Sequence, residues 1–296
     1  MTITNKNLMT AVREMSNFMI NNTQPPEDLI FKLVMEIRVS TLILPANLDD
    51  DGIDFAHIEA GGRRLIPLFS DNSELLKFSI EYIGVDNPFI YYRNMLDDLN
   101  FDGIVINPEN EGFVIDKYLV EDIPDFTDTS QFEGYTPEKF REIAFDLQNE
   151  RLLNFIRDDR NFRNYDGLKE IIYDSVFLSV VVPGSEVGEI PENGIIKRQD
   201  VGGFSLLNKK SGLHDYCVLF SDVDAIRKAG FEYMQVCNLY ETLKFVLNND
   251  MDGIILNPDT DEYFIPRTVL LELMADDKLL DKNLSNAFDY AFILGE

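Results

Sequence analysis

A chain of 296 residues with 26 basic and 53 acidic side chains carries a formal charge of −27, which disfavours direct binding to nucleic acid or to an anionic membrane surface. Its 45% apolar and 11% aromatic content belongs to a folded protein, long enough for two separate cores. No apolar run approaches the ~20 residues of a membrane span, and Met1 to Lys6 lacks a signal-peptide core, so a cytoplasmic location is expected.

Leu8, Val12, Met15 and Met19 recur at helical spacing and predict a helix over 8–20. Pro25-Pro26 opens a second helix, continued by Leu29, Ile30, Leu33 and Val34. The β-branched run 39–44 reads as a buried strand that Pro45 ends. The Asp-rich turn 49–52 leads to a strand near 53–58, Gly61-Gly62 makes a tight turn, and 65–69 returns as the partner strand. Ser70 is the expected N-cap of a helix over 71–80. A strand at 82–85, a helix at 88–99 and a strand at 103–106 follow. Strands alternating with helices imply parallel crossovers beside the antiparallel hairpin, hence a mixed sheet. Asn107-Pro108 closes the last strand, because the residue before proline is held extended and the pair suits a type I turn. Phe113 to Ile115 is the return strand, and 117–120 a short helix.

Much of this is said twice. Asp102-Gly103-Ile104-Val105-Ile106-Asn107-Pro108 is answered by Asp252-Gly253-Ile254-Ile255-Leu256-Asn257-Pro258. Leu68-Phe69-Ser70-Asp71 matches Leu219-Phe220-Ser221-Asp222, and Glu81-Tyr82 matches Glu232-Tyr233, all at an offset of 150 or 151. The run ending Ile43-Leu44-Pro45 aligns with the one ending Val181-Val182-Pro183 at an offset of 138, which implies a 13-residue insertion between Pro183 and Cys217. The expected architecture is α+β, two tandem copies of a mixed-sheet domain: helices, a three-strand meander, helix-strand-helix, then a terminal hairpin and helix. The first copy spans 1–124, a linker 125–135, and the second copy 136–296. Thr136-Pro137 starts the first long helix of the second copy, 263–265 and 268–274 form its return strand and closing helix, and 284–294 a docked terminal helix.

The Ile43-Leu44-Pro45 strand end, Pro67-Leu68-Phe69-Ser70 opening a helix, and the Asp102 to Pro108 element resemble the N-terminal domain of the SseB family, the enhanced serine sensitivity proteins. On that reading the chain looks like two such domains, over most of 7–123 and 145–275. The resemblance implies an α+β domain without established catalytic residues, so no active site is carried over.

Asn47 to Gly52 begins like a calcium loop but has Ile58 where the bidentate glutamate belongs, and reads as a hairpin turn. His57 and His214 have no metal-ligand spacing, and Cys217 and Cys237, in strand-like segments, read as reduced buried thiols. Phosphate-loop, dinucleotide and nucleophile-elbow motifs are missing, and no cofactor or metal is expected. Asp102, Gly103, Asn107 and Pro108, with Asp252, Gly253, Asn257 and Pro258, are assigned to structure. The acidic cluster Asp49, Asp50 and Asp51 and the basic pair Arg63 and Arg64 are the candidate partner contacts. Lys197-Arg198 and Lys209-Lys210 are taken as the corresponding basic clusters of the second copy. The expected function is non-enzymatic binding or regulation, with a protein partner that the charge favours as basic. The alternatives are an acidic inhibitor that imitates nucleic acid, and a small-ligand binder or enzyme with a site between the repeats.

Overall fold

The computed structural model describes residues 3–49, 52–123, 135–173, 175–188, 191–258, 260–276 and 287–294. The chain divides into two compact units, Met1–Thr127 and Asp128–Glu296. Of the expected linker 125–135, all but Tyr135 lies outside the described residues.

The first unit opens with α1 (Lys6–Ile20) and α2 (Glu27–Val39), the second with Pro26 as its extended N-cap residue. Strand β1 (Thr41–Asp49) then runs straight through Pro45. The expectation that proline would end it fails because Ile43 and Pro45 face away from the neighbouring strand β5 (Ile83–Pro88): Ile43 exchanges both backbone bonds with Phe69, and Pro45 is asked only for its carbonyl, by Ala56 N–H at 3.0 Å. The strand expected over 53–58 is two strands. β2 (Gly52–Phe55) pairs with β1, while β3 (Ile58–Ala60) pairs with β4 (Arg63–Leu68) across the left-handed turn at Gly61 and Gly62. α3 (Asn72–Phe78) is capped by Asp71 instead of Ser70, the Asp71 carboxylate accepting from Ser73 N–H and Glu74 N–H.

After β5 come α4 (Phe89–Asp98), β6 (Gly103–Ile106), β7 (Phe113–Asp116) and α5 (Lys117–Glu121). There are two sheets, where one mixed sheet was expected. The order β2-β1-β5 is wholly antiparallel, whereas β3-β4-β6-β7 contains one parallel pair, β4 with β6. The crossover from β4 therefore passes through the other sheet before β6 arrives, and β6 is buried along its whole length, as a parallel strand covered on both faces should be. Leu42 and Leu44, Ile66 and Leu68, and Ile104 and Ile106 alternate inward to meet Leu8, Val12, Leu33, Ile37 and Leu96 from the helices. A smaller cluster, Ile43, Phe69 and Leu75, carries Ile3, Phe78 and Tyr82.

The second unit begins with α6 (Pro137–Asp146), capped by Thr136 Oγ1 accepting from Lys139 N–H at 3.3 Å. α7 (Glu150–Arg157) and α8 (Tyr165–Ile172) lead to β8 (Phe177–Pro183), β9 (Ile195–Lys197), β10 (Phe204–Leu206), β11 (Asn208–Ser211) and β12 (His214–Leu219). α9 (Val223–Lys228), β13 (Tyr233–Cys237), α10 (Leu239–Asn248), β14 (Gly253–Leu256), β15 (Tyr263–Pro266), α11 (Arg267–Met274) and β16 (Tyr290–Ile293) complete it. The four-stranded sheet β11-β12-β14-β15 has its parallel pair at β12 and β14, and a five-stranded antiparallel sheet runs β10-β8-β13-β16-β9.

Among the described strands, seven of the second unit are paired in the same order as the seven of the first, but in a register different from the one that matching prolines suggest. Leu178 exchanges backbone bonds with Phe220 at 2.9 and 2.7 Å, as Ile43 does with Phe69 at 2.9 and 2.8 Å. Ile43 thus matches Leu178, an offset of 135 that becomes 151 at Phe69 and Phe220, so the insertion is 16 residues long. Likewise Gly84 opposes Pro45 as Met234 opposes Val180, which matches Ile83 with Tyr233 and puts the Glu-Tyr correspondence one residue out. The insertion supplies β9, whose only partner among the described strands is β16. The terminal helix expected over 284–294 is a short 3-10 turn at 287–289 followed by β16, with 284–286 outside the described residues. Among the described residues, no helix is long and apolar enough to cross a membrane.

Candidate functional site

The Asp-Gly-Asn-Pro elements flank the one parallel pair of each four-stranded sheet. Asp102 closes its start: the backbone N–H donates to Arg64 O at 2.8 Å while Oδ2 accepts from Arg64 N–H at 2.7 Å. Asp252 repeats both bonds with Asp215, each at 2.8 Å. Gly103 follows because a Cβ there would penetrate the Ile115 carbonyl and stand 3.2 Å from Asp116 Cα; at Gly253 the obstruction is the Ile265 carbonyl.

At the far end Asn107 and Asn257 are buried, with left-handed φ values of 46° and 47°. The residue before the proline is therefore not extended. Asparagine tolerates this region, and the turn follows from its carbonyl, which accepts from Asn110 N–H at 3.0 Å in the first unit and from Thr260 N–H at 3.2 Å in the second. Asn107 Oδ1 accepts from Ser70 N–H and its Nδ2 donates to Ser70 Oγ, both at 3.0 Å. Asn257 does the same with Ser221 at 2.9 and 2.8 Å. Ser70 Oγ donates a hydrogen bond to Asp71 Oδ2 at 3.1 Å, and Ser221 Oγ to Asp222 Oδ2 at 2.7 Å. Burial alone would raise the Asp71 carboxyl, but bonds from Ser73 Oγ, Glu74 N–H, Ser70 Oγ and Ser73 N–H outweigh it and hold the pKa below the usual carboxylate value.

A second asparagine belongs to each network and escapes sequence reading. Asn5 Nδ2 donates to Thr41 O and Ser70 O, both at 2.8 Å; Asn149 Nδ2 donates to Val176 O at 2.6 Å and Ser221 O at 2.8 Å. Both precede a helix whose third residue, Leu8 or Leu152, is buried. The signal was a shared Asn-x-x-Leu in front of each helix. It makes α7 the counterpart of α1, so α6, expected to fill that place, is additional to the arrangement of the first unit.

The remaining candidates are dispersed. Asp49 ends β1 opposite Gly52, while Asp50 and Asp51 lie outside the described residues. Arg63 is paired with Asp116 and donates to Asp102 O at 3.4 Å; the Arg64 guanidinium lies 4.7 Å from the Phe101 ring centre. Lys209 pairs with Glu262 at 2.9 Å and Lys210 with Asp215 at 3.9 Å. Lys197 and Arg198 sit in the insertion and are not the counterparts of Arg63 and Arg64; with Gln199, Asp289 and Tyr290 they line an open cleft of about 590 Å³.

Cys217 and Cys237 are buried and free. Burial raises both thiols, Cys237 to about 11 although bonds with Ser179 and Thr242 partly offset it, so neither is a ready thiolate at neutral pH. Beside Cys237, Gln235 opposes Ser179 across β13 and β8; both are buried, and the Gln235 amide makes no hydrogen bond among the described residues. The exposed His214 Nδ1 lies 3.4 Å from Asp252 Oδ1, and His57 is exposed next to Phe101. Among the described residues, no group of three or more His, Cys, Asp or Glu side chains is placed to hold a metal ion. Compared with protein-family models, curated proteins and solved structures, the chain matches none.

Proposed function

We propose that the chain is a non-enzymatic cytoplasmic protein, two SseB-like domains in tandem, that works by binding another protein. The observation that carries this reading is the use made of the polar residues recurring in both halves: Asp102, Asn107 and Ser70, like Asp252, Asn257 and Ser221, bond to the sheet and to the residues around the helix cap, with further contacts from Asn107 to Glu111 and from Asp252 to His214. What is common to the two units is thus a scaffold, and recognition falls to surfaces. The formal charge of −27 makes a basic partner the favoured one.

The test is reconstitution with a purified basic protein captured from the native host. The association rate should fall steeply between ~0.01 M and ~0.15 M salt, as the Debye length shrinks from ~30 Å to ~8 Å. An association rate indifferent to salt, or turnover of a small substrate that needs no partner, would overturn the reading. Displacement of the chain from a DNA-binding protein by DNA itself would favour the nucleic-acid mimic instead.

A further inference from the structure

Strands β5 and β13 occupy the same place, each antiparallel to the first strand of its unit, but only β13 is covered on its outer side. There β16 runs antiparallel, with Tyr233 opposite Ile293 and Met234 opposite Phe292, and Leu294 N–H donates to Glu232 O at 3.0 Å. Ala291 and Phe292 of β16, like Met234, are fully buried as a result.

Since Ile83 matches Tyr233, the corresponding backbone groups in the first unit are those of Tyr82, Gly84 and Asp86, which point away from β1. Among the described residues β5 ends its sheet with nothing paired beyond it. Ile83 is 46% exposed and Ile80, just before the strand, 85% exposed. The usual protections of a free edge are thin here: 81–87 contains no lysine and no proline, and Pro88 stands only at the end. Its charges are two exposed acids, Glu81 and Asp86.

We propose that the outer edge of β5 is a docking site for an extended peptide, which adds antiparallel as β16 adds to β13. The segment that fits has an apolar centre like Tyr290-Ala291-Phe292-Ile293, to lie beside Ile83 and Gly84, and basic residues flanking it, to meet Glu81 and Asp86. That charge pattern selects a basic partner over a second copy of a chain that itself carries −27. The proposal rests on the protein-binding reading above and gives it a location.

The probe is a fluorescein-labelled peptide, Lys-Lys-Tyr-Ala-Phe-Ile-Leu-Lys-Lys, titrated against the full chain and followed by anisotropy and by amide exchange. Binding should slow exchange at 82–86. Asp86→Pro removes an outward N–H at an exposed position without touching the bonds to β1, whereas at Gly84 a Cβ would stand 2.7 Å from Ile43 Cγ2; Asp86→Pro should weaken binding at least ~10-fold. Asp86→Lys, which leaves the backbone alone, should weaken it severalfold and flatten its salt dependence. Melting temperatures identify any variant that fails to fold, and Asp86→Lys then serves as the test. Wild-type affinity in both variants, or protection at β13 in place of β5, overturns the proposal, as does concentration-dependent self-association lost in Asp86→Pro, which would make the occupant a second copy. A reconstituted basic partner that still binds Asp86→Pro with full affinity sinks the edge assignment and leaves protein binding standing. If peptide binding behaves as expected but no protein partner is found, it is the underlying reading that fails.

Discussion

Asn107 and Ser70 exchange two hydrogen bonds, Ser70 N–H to Oδ1 and Nδ2–H to Ser70 Oγ, both at 3.0 Å, so a single side chain fastens the end of β6 to the residue before the α3 cap. The bond partners are buried and φ at Asn107 is 46°, so the residue has both a side-chain and a backbone reason to be asparagine. Asn107→Ala should cost about 2–3 kcal/mol in urea unfolding, by leaving the Ser70 N–H unpaired and placing a Cβ-bearing apolar residue in the left-handed region. Asn107→Gly should recover roughly 1 kcal/mol of that, the backbone part alone. Equal losses for the two variants would show that the left-handed backbone contributes nothing.

Gly103 has negligible room for a side chain, because the Ile115 carbonyl already occupies the direction a Cβ would take. Gly103→Ala should destabilise by about 1–3 kcal/mol through separation of β6 from β7, and Gly253→Ala should do the same for β14 and β15. Chemical denaturation of each variant measures this; an unchanged midpoint in either would mean that the two strands part without cost.

The Asp71 carboxyl is held below the ordinary value of 3.8 by the bonds it accepts in the folded chain. The folded state therefore binds fewer protons than the unfolded one, and the contribution is fully present above the unfolded pKa and lost as pH falls through the folded one. Asp71→Asn should be less stable than the parent at pH 7, with the gap closing below about pH 4. A gap independent of pH would assign the loss to cap geometry and not to charge.

Gln235 places an amide with no hydrogen bond among the described residues inside the second unit, where the matching residue of the first unit is Val85. Gln235→Met keeps the length and discards the polar atoms, and should stabilise by about 1–2 kcal/mol. Thermal unfolding is the measurement. A destabilised variant would instead reveal that the amide has a partner in solution.

The short elements with chemical punctuation were the legible ones. Gly103 and Asn107 bracket β6, Gly253 and Asn257 bracket β14, and Thr136-Pro137 marks the start of α6, each because a local rule acts at one residue. Which sheet a strand joins is not local. The run after Gly52 alternates in a way that fits one strand, yet it changes sheets at Ala56 and His57. The segment Tyr290–Ile293 shows the same limit, since a four-residue apolar run suits a helix or a buried strand equally and only its neighbours β13 and β9 decide. Matching Pro45 to Pro183 misled because nothing in the sheet requires proline at that position. Asn5 and Asn149 were overlooked because their bonds go to backbone carbonyls, which leave no trace in the identity of the accepting residue.

The position of β16 between β13 and β9 has a kinetic side. Among the described strands β9 pairs only with β16, Ile195 with Phe292, Ile196 with Ala291 and Lys197 with Tyr290, so the inserted segment cannot settle until a far later stretch of chain has closed a long loop. Loop closure of that span is slow compared with the hairpin of β11 and β12, which forms between neighbours. The second unit should therefore mature in two stages, its parallel-containing sheet first and its five-stranded sheet last, with Ile195 and Ile196 open to proteases in the interval.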